Sequence, residues 1–160
     1  MLQEVNKRFN IRYASMEDAA KLAAISEDSL VYSWNERDFT EAIEYDSAKV
    51  FLCEEGTEPV GYAIIYHAAD QGEIASIAVK RSMRRQGIGA LMLEHLFDEG
   101  YGLGVRKLFL EVRESNEPAI GLYESAGFLR VGVRKGFYER PKEDASVMMR
   151  ILGDSRIESN

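Results

Sequence analysis

Lys80, Arg81, Arg84 and Arg85 lie within six residues of one another in a chain whose net charge is −7. Gly87 and Gly89 follow, and the apolar pattern of a helix begins at Ile88. A helix N-terminus exposes unpaired N–H groups and a partial positive charge, so it favours phosphate. Glycine lets the backbone approach an anion without interference from a Cβ. The plain alternative is a solvated loop, which runs of charge usually form. Two familiar phosphate motifs are excluded. A P-loop needs Gly-Lys-Ser/Thr, which is absent. A dinucleotide fingerprint needs a third glycine where Met92 stands, after a chain-initial strand rather than a hairpin strand. Gly100, Gly102 and Gly104 precede a strand and read as a loop.

Proton-transfer chemistry has its own candidates. Glu111 stands mid-strand on the same face as Phe109, where a lone carboxylate is unfavourable unless it is exposed or used. Exposure with Arg113 as its partner is the bland reading. Tyr123 follows at helical spacing, where a tyrosine is ordinarily core. Glu73, at the start of another strand, is an alternative base. His67 ends a strand and His95 lies on an apolar helix stripe, so both are weaker. No Cys/His cluster has metal-ligand spacing, and no metal is expected. The single cysteine, Cys53, cannot form an internal disulfide; it reads as a small buried hydrophobe and suggests a reducing compartment.

The elements that must position these groups follow from periodicity. Phe9, Ile11 and Tyr13 alternate as a first strand. Ser15 with Asp18 resembles a capping box and opens a helix through about Asp28, with Ala19, Leu22 and Ala23 on its apolar face. Ser33 with Glu36 repeats that signature ahead of Phe39, Ala42 and Ile43. Strands are expected at Lys49 to Glu54, Val60 to His67 and Glu73 to Val79, joined by short polar turns and therefore antiparallel. The stripe Ile88, Leu91, Met92, His95, Leu96 marks the next helix. It leads to a strand at Lys107 to Arg113, parallel to Glu73–Val79 by right-handed crossover. Asn116 and Pro118 open a short helix ending at Gly127, and paired strands near Phe128–Arg134 and Ala145–Ile151 close the chain. Pro59, Pro118 and Pro141 fall at expected breaks. The fold class is α/β (α+β), a mixed sheet with helices on both faces.

At 160 residues, 46% hydrophobic and 29% charged, the chain fits one globular domain over residues 1–160, with a core from about 9 to 151. Its acidic balance argues against direct nucleic-acid binding. No signal peptide is visible in Met1 to Phe9. The longest apolar segment, Val60 to Tyr66, is far short of the roughly 20 residues that span a bilayer. No membrane association is expected, and the expected setting is the cytoplasm.

Arg84-x-x-Gly87-x-Gly89 after Ile77-Ala78-Val79 resembles the acyl-CoA pyrophosphate loop of GCN5-related N-acetyltransferases. Leu110-Glu111-Val112-Arg113, Ser115-Asn116 and Ala119 through Phe128 are similar to the later half of that family. The resemblance is strongest to its ribosomal-protein-alanine N-acetyltransferase (RimI) group, through Arg134, Phe137-Tyr138, Glu143-Asp144-Ala145, Met148 and the stretch Trp34 to Phe39. The chain departs from the group at Ser33-Trp34-Asn35, where Pro-Trp-Ser is usual, and at Phe137, where tyrosine is commoner. Both positions lie where the acceptor would dock.

The resemblance implies a mostly antiparallel sheet of about seven strands. Its parallel pair would splay to hold acetyl-CoA as cosubstrate. Backbone groups around Ile77, Ala78 and Val79 would meet the pantetheine arm. Arg84, Arg85, Gln86, Gly87, Ile88, Gly89 and Ala90 would hold the pyrophosphate. Asn116 would be a further contact, an N-cap, or both. Glu111 would accept the amine's proton, directly or through water, and Tyr123 would donate one to the leaving thiolate. The implied reaction is acetyl transfer to a primary amine, foremost the N-terminal alanine α-amine of a ribosomal protein. The alternatives are a small-molecule amine, a lysine side chain, or a non-catalytic acyl-CoA-binding module, against which the presence of both Glu111 and Tyr123 argues.

Overall fold

The computed structural model describes residues 8–29 and 33–153. Most of the segment Met1 to Phe9, read above for a targeting signal, lies outside them. Seven strands, β1 (Phe9–Tyr13), β2 (Ala48–Glu55), β3 (Glu58–Ala68), β4 (Gln71–Val79), β5 (Lys107–Arg113), β6 (Leu129–Tyr138) and β7 (Glu143–Ile151), form one sheet in the order β1-β2-β3-β4-β5-β7-β6. The pairs β1–β2, β2–β3, β5–β7 and β6–β7 are antiparallel, and β4–β5 is parallel, as the alternation and the crossover imply. The parallel ladder is short, running from Gln71↔Lys107 to Glu73↔Phe109. The helices are α1 (Ala19–Ser29), α2 (Glu36–Glu44), α3 (Ile88–Gly102) and α4 (Glu117–Ser125).

Packing divides the chain into two compact units, the first within Met1–His67 and Ile74–Leu96, the second within Ala68–Glu73 and Phe97–Asn160. In the first, Leu22 and Ile25 of α1 and Phe39 and Ala42 of α2 cover Val50, Leu52, Tyr62 and Ile64 on one face of β2 and β3. Ile88, Leu91 and Met92 of α3 pack with Phe9, Cys53 and Val60. Alternation along β2 sends Leu52 one way and Cys53 the other, so helices lie on both faces of this part of the sheet. Gly61 permits the close approach of α3, because a Cβ there would meet the Ala78 carbonyl at 3.0 Å and the Met92 side chain at 3.2 Å. Burial pushes the Cys53 thiol up to about 12, in keeping with a core residue. In the second unit, Leu108, Leu110 and Val112 of β5 are buried while Phe109, Glu111 and Arg113 share the opposite, half-buried face.

Several local expectations are corrected. The cap of α2 is Asn35 rather than Ser33. Asn35 Oδ1 accepts from the Asp38 N–H at 2.8 Å, and Asp38 Oδ2 accepts from the Asn35 N–H at 2.9 Å. The Ser15–Asp18 box forms but opens a 3₁₀ turn, Met16–Asp18, ahead of α1. Pro59 lies inside β3 opposite Glu54, tolerated beside the register shift at Cys53/Glu54. Gly100 and Gly102 belong to the end of α3, and only Gly104 falls in the loop. β6 runs on to Tyr138, four residues beyond the expected end at Arg134.

Candidate active site

The carboxylate face lies in the second unit. Register pairs Glu111 with Val147, Phe109 with Met149 and Arg134 with Ala145, which sets Glu111 and Arg134 on one face of the β5–β7–β6 ribbon. Arg134 Nε stands 3.7 Å from Glu111 Oε1, the arginine side chain 59% exposed and the glutamate only 10%. Glu73, opposite Phe109 in the parallel ladder, brings a second carboxyl to the same place. Burial first, then the hydrogen bond and charge of Glu73, push the Glu111 carboxyl up to about 7, while Arg134 pulls the other way. A second carboxyl this close disfavours the charged form of Glu111, which is the group of this face placed to exchange a proton near neutral pH. Glu73 and Glu111, weighed in the sequence as alternatives, are brought together. Arg113 pairs with Glu143 at 3.1 Å and donates to the Glu139 and Pro141 carbonyls, tying down the β6–β7 connection.

Tyr123 is held by the end of α4. Gly127, at φ +95°, takes the position after the C-cap, with its N–H donating to the Glu124 carbonyl at 3.0 Å. The Phe128 N–H donates to the Tyr123 carbonyl at 3.0 Å, and the two rings meet edge to face at 5.8 Å. This is the hydrogen-bond and apolar pattern of a Schellman motif. It fixes the backbone from which the Tyr123 ring projects. Tyr123 is buried, and burial, with Tyr138 adding to it, pushes its hydroxyl up to about 12, so it stays protonated at neutral pH. Tyr138 is the residue the sequence reading left without a role. Burial and the Glu111 charge raise it while Arg113, 4.5 Å above its ring, lowers it. Tyr138 thus feels both Glu111 and Tyr123. Its place depends on the register shift between Arg134 and Tyr138, which no local pattern announces.

The cationic loop lies in the first unit. Arg81–Met83 forms one 3₁₀ turn, Arg85 sits at φ +63° and Gly87 at φ +82°, and α3 starts at Ile88. Arg84, Arg85, Gly87 and Ala90 are exposed, whereas Ile88 is buried and anchors the helix start. The N–H groups of the first helical turn therefore face outward from a fixed base, as anion binding requires. The Val79 carbonyl accepts from Ser29 Oγ at 3.2 Å and from Arg84 Nε at 3.4 Å. Ala78 is buried in the first unit's core, and Ile77 and Val79 point to the α3 side. Asn116 acts as the N-cap of α4, its Oδ1 accepting from the Ala119 N–H at 3.3 Å. The residues present fit an acyl-CoA phosphate: exposed helix-start amides, a left-handed backbone at Arg85 and Gly87, and adjacent cations.

His95 packs edge to face on Phe51 at 5.2 Å, within the apolar layer. His67 Nε2 is buried with no hydrogen-bond partner. Among the described residues no group of His, Cys, Asp or Glu side chains is arranged to hold a metal ion, and no helix is long and apolar enough to cross a membrane.

A mixed sheet of this order, with a cationic loop and helix start after β4 and a carboxylate face on β5, is the architecture of an acyl-CoA-dependent transferase. The chain belongs to the Acetyltransferase (GNAT) family, whose profile matches residues 19–128. It is 36% identical over 126 residues to the ribosomal protein bS18-alanine N-acetyltransferase of Escherichia coli strain K12, covering 78% of this chain and 84% of that protein. It is 31% identical over 157 residues to an N-alpha-acetyltransferase of Sulfurisphaera tokodaii, covering 89% and 92%. The crystal structure of the ribosomal-protein-S18-alanine N-acetyltransferase from Escherichia coli matches with a TM-score of 0.85 at 31% identity, over 91% of this chain and 95% of that one. The protein is an acetyl-CoA-dependent N-acetyltransferase, as the loop and strand motifs implied.

Proposed function

We propose that this enzyme acetylates the N-terminal α-amine of a ribosomal protein that begins with alanine, with Glu111 as proton acceptor and Tyr123 as proton donor. The observation that carries the reading is the juxtaposition of Glu73 and Glu111, which together with burial pushes the Glu111 carboxyl up to about 7. A protein α-amine ordinarily has a pKa of about 7.7–8.0 and a lysine side chain about 10.4. Glu111 lies within about one unit of the first and about three units below the second. Taking the proton from an α-ammonium costs about 1 kcal/mol, whereas taking it from a lysine would cost roughly 4–5 kcal/mol. The Escherichia coli relative, an alanine N-acetyltransferase, and the Sulfurisphaera relative, an N-alpha-acetyltransferase, support the same choice.

Acetyl-CoA supplies the acetyl group as a thioester. Arg84, Arg85, Gln86, Gly87, Ile88, Gly89 and Ala90 hold its pyrophosphate. The backbone of Ile77, Ala78 and Val79 takes the pantetheine arm, and Asn116 adds a contact beyond its capping role. The ionised Glu111 removes the α-ammonium proton, and the amine nitrogen then bonds the acetyl carbon as the carbon–sulfur bond breaks. The proton that the nitrogen sheds as the amide forms ends on the departing thiolate. Tyr123 offers its hydroxyl hydrogen to the departing sulfur. With the hydroxyl near 12 and a thiol ordinarily near 8.5, this is hydrogen-bond stabilisation rather than complete transfer. The setting that follows is the cytoplasm, where ribosomal proteins are made.

Mass spectrometry of products from alanine-initiated peptides, their N-terminally blocked counterparts and lysine-containing controls tests the assignment. Acetyl on the α-amine alone is expected. Acetyl on lysine, or equal turnover of blocked peptides, overturns it.

A further inference from the structure

The first unit contains a cavity of about 640 Å³ whose walls include Trp34, Asp38, Glu41, Ala42, Tyr45 and Tyr66. Asp38, Glu41, Ala42 and Tyr45 follow at i, i+3, i+4 and i+7, so one face of α2 and its C-cap form one side. Both ends of that side are fixed. The Trp34 N–H donates to Ser26 Oγ at 2.8 Å and its ring packs on Phe39 at 5.9 Å, while the Asn35–Asp38 box sets the first turn. Tyr45 and Tyr66 stand 6.1 Å apart, inclined at 49°.

Three aromatic rings and two carboxylates line the space, and no lysine, arginine or histidine is among the lining residues. Burial first, then Tyr45, Asp38 and Glu41, raise the Tyr66 hydroxyl, which shows that the carboxylate field reaches into the cavity. Arg37 meets Glu41 at 3.0 Å from the solvent side, with both side chains mostly exposed. An exposed pair of that kind is weak and readily exchanged. The chemistry selects one ligand class. Anions are repelled, and an apolar group would take water from the carboxylates without replacing its hydrogen bonds. A bare metal ion would find too few oxygen ligands among the rings. A guanidinium stacks on aromatic faces and pairs with a carboxylate at its edge.

We propose that this cavity seats a basic side chain, foremost an arginine, of the acceptor polypeptide, so that the enzyme reads a positive residue as well as the terminal amine. The proposal rests on the reading of the acceptor as a polypeptide α-amine. The charge balance of the chain, −7 overall, favours the same acceptors. The volume admits a long side chain together with adjoining backbone, more than a slender free polyamine needs.

Trp34 is the only tryptophan, so its fluorescence reports occupancy without chemistry. N-terminally blocked peptides that differ only by arginine or citrulline are titrated against the full chain, with spermidine as a separate arm. A saturable change with arginine and none with citrulline is expected, weakened about tenfold in Glu41→Gln and in Tyr45→Ala. For unblocked alanine peptides, the arginine-to-citrulline ratio of kcat/KM should be about tenfold, carried by KM, and should collapse in both variants. An emission response indifferent to charge overturns the proposal, as does one that survives both substitutions. Binding of spermidine without binding of the arginine peptide overturns it in favour of a polyamine site. Acetyl found on lysine would instead strike the α-amine reading, and the blocked-peptide titration would still decide the cavity.

Discussion

Burial beside Glu73 moves the Glu111 carboxyl from an ordinary 4.5 to about 7, and that shift pulls stability and catalysis in opposite directions. The folded chain binds the proton more tightly than the unfolded chain does between these values. The contribution to stability is therefore full below about 4.5 and is lost as pH rises through about 7. Calorimetry from pH 5 to pH 8, spanning that shift, should show Tm falling in the parent and a flatter course in Glu111→Gln, with the variant gaining most at the alkaline end. An equal slope in both chains would remove Glu111 as its source. With Glu111 in its proposed role as base, activity needs its carboxylate form, so kcat/KM of the parent should rise through about 7. In Glu111→Gln it should drop by about 10²- to 10⁴-fold and keep only the amine's own titration. The deficit should narrow at high pH, where the free amine attacks unaided. Tyr123→Phe in the same series should lower kcat by about a hundredfold or less with KM little changed, because a thiol is already a fair leaving group. Near-full kcat in a folded Tyr123→Phe chain would return the ring to packing against Phe128.

The start of α3 is the element where backbone conformation and the proposed phosphate binding coincide. Gly87 at φ +82° lies in the region that a β-branched residue enters at a cost of about 1–2 kcal/mol, and its exposed backbone is where an anion would approach. Gly87→Val should remain folded with a modestly lower Tm and lose about tenfold or more in acetyl-CoA affinity by titration calorimetry. Unchanged affinity in the folded variant would take the loop out of the site. Legibility in the sequence tracks how local each determinant is. The period-2 pattern of β5 and the 3.6-residue stripe of α3 gave both elements, and Gly127 marked the end of α4. Ser33 and Asn35 are equally good cap residues, and only the path into α2 chose Asn35. β6 was cut short because both its faces are largely exposed and carry no alternation. Within the site, the half-buried side of Glu111 followed from Phe109 two residues earlier. Its partner Glu73 required the parallel register, and Tyr138 required a register shift near the end of β6; both arise from pairing between distant segments.

With the proposed acceptor, charge over the whole chain faces two substrates of opposite sign. A net charge of −7 attracts a basic polypeptide and repels a phosphorylated cosubstrate, and the Lys80–Arg85 cluster reverses the local sign where the phosphate would sit. The two effects differ in reach. Attraction of the acceptor is long-range steering by many exposed carboxylates, while the phosphate is met by cations and helix amides within contact distance. Salt shortens the Debye length from about 30 Å at 0.01 M to about 10 Å at 0.1 M, so it weakens the first effect more than the second. Raising ionic strength from about 0.01 to about 0.2 M should therefore lower kcat/KM for an arginine-bearing peptide severalfold, mainly through slower association. A neutral peptide of the same length should change by less than about twofold, and the KM for acetyl-CoA should shift less than that of the basic peptide. Stopped-flow binding of both peptides across that range is the decisive measurement. If they lose association rate equally, the net charge does not steer the acceptor, and selection of a basic polypeptide rests on contacts made after encounter.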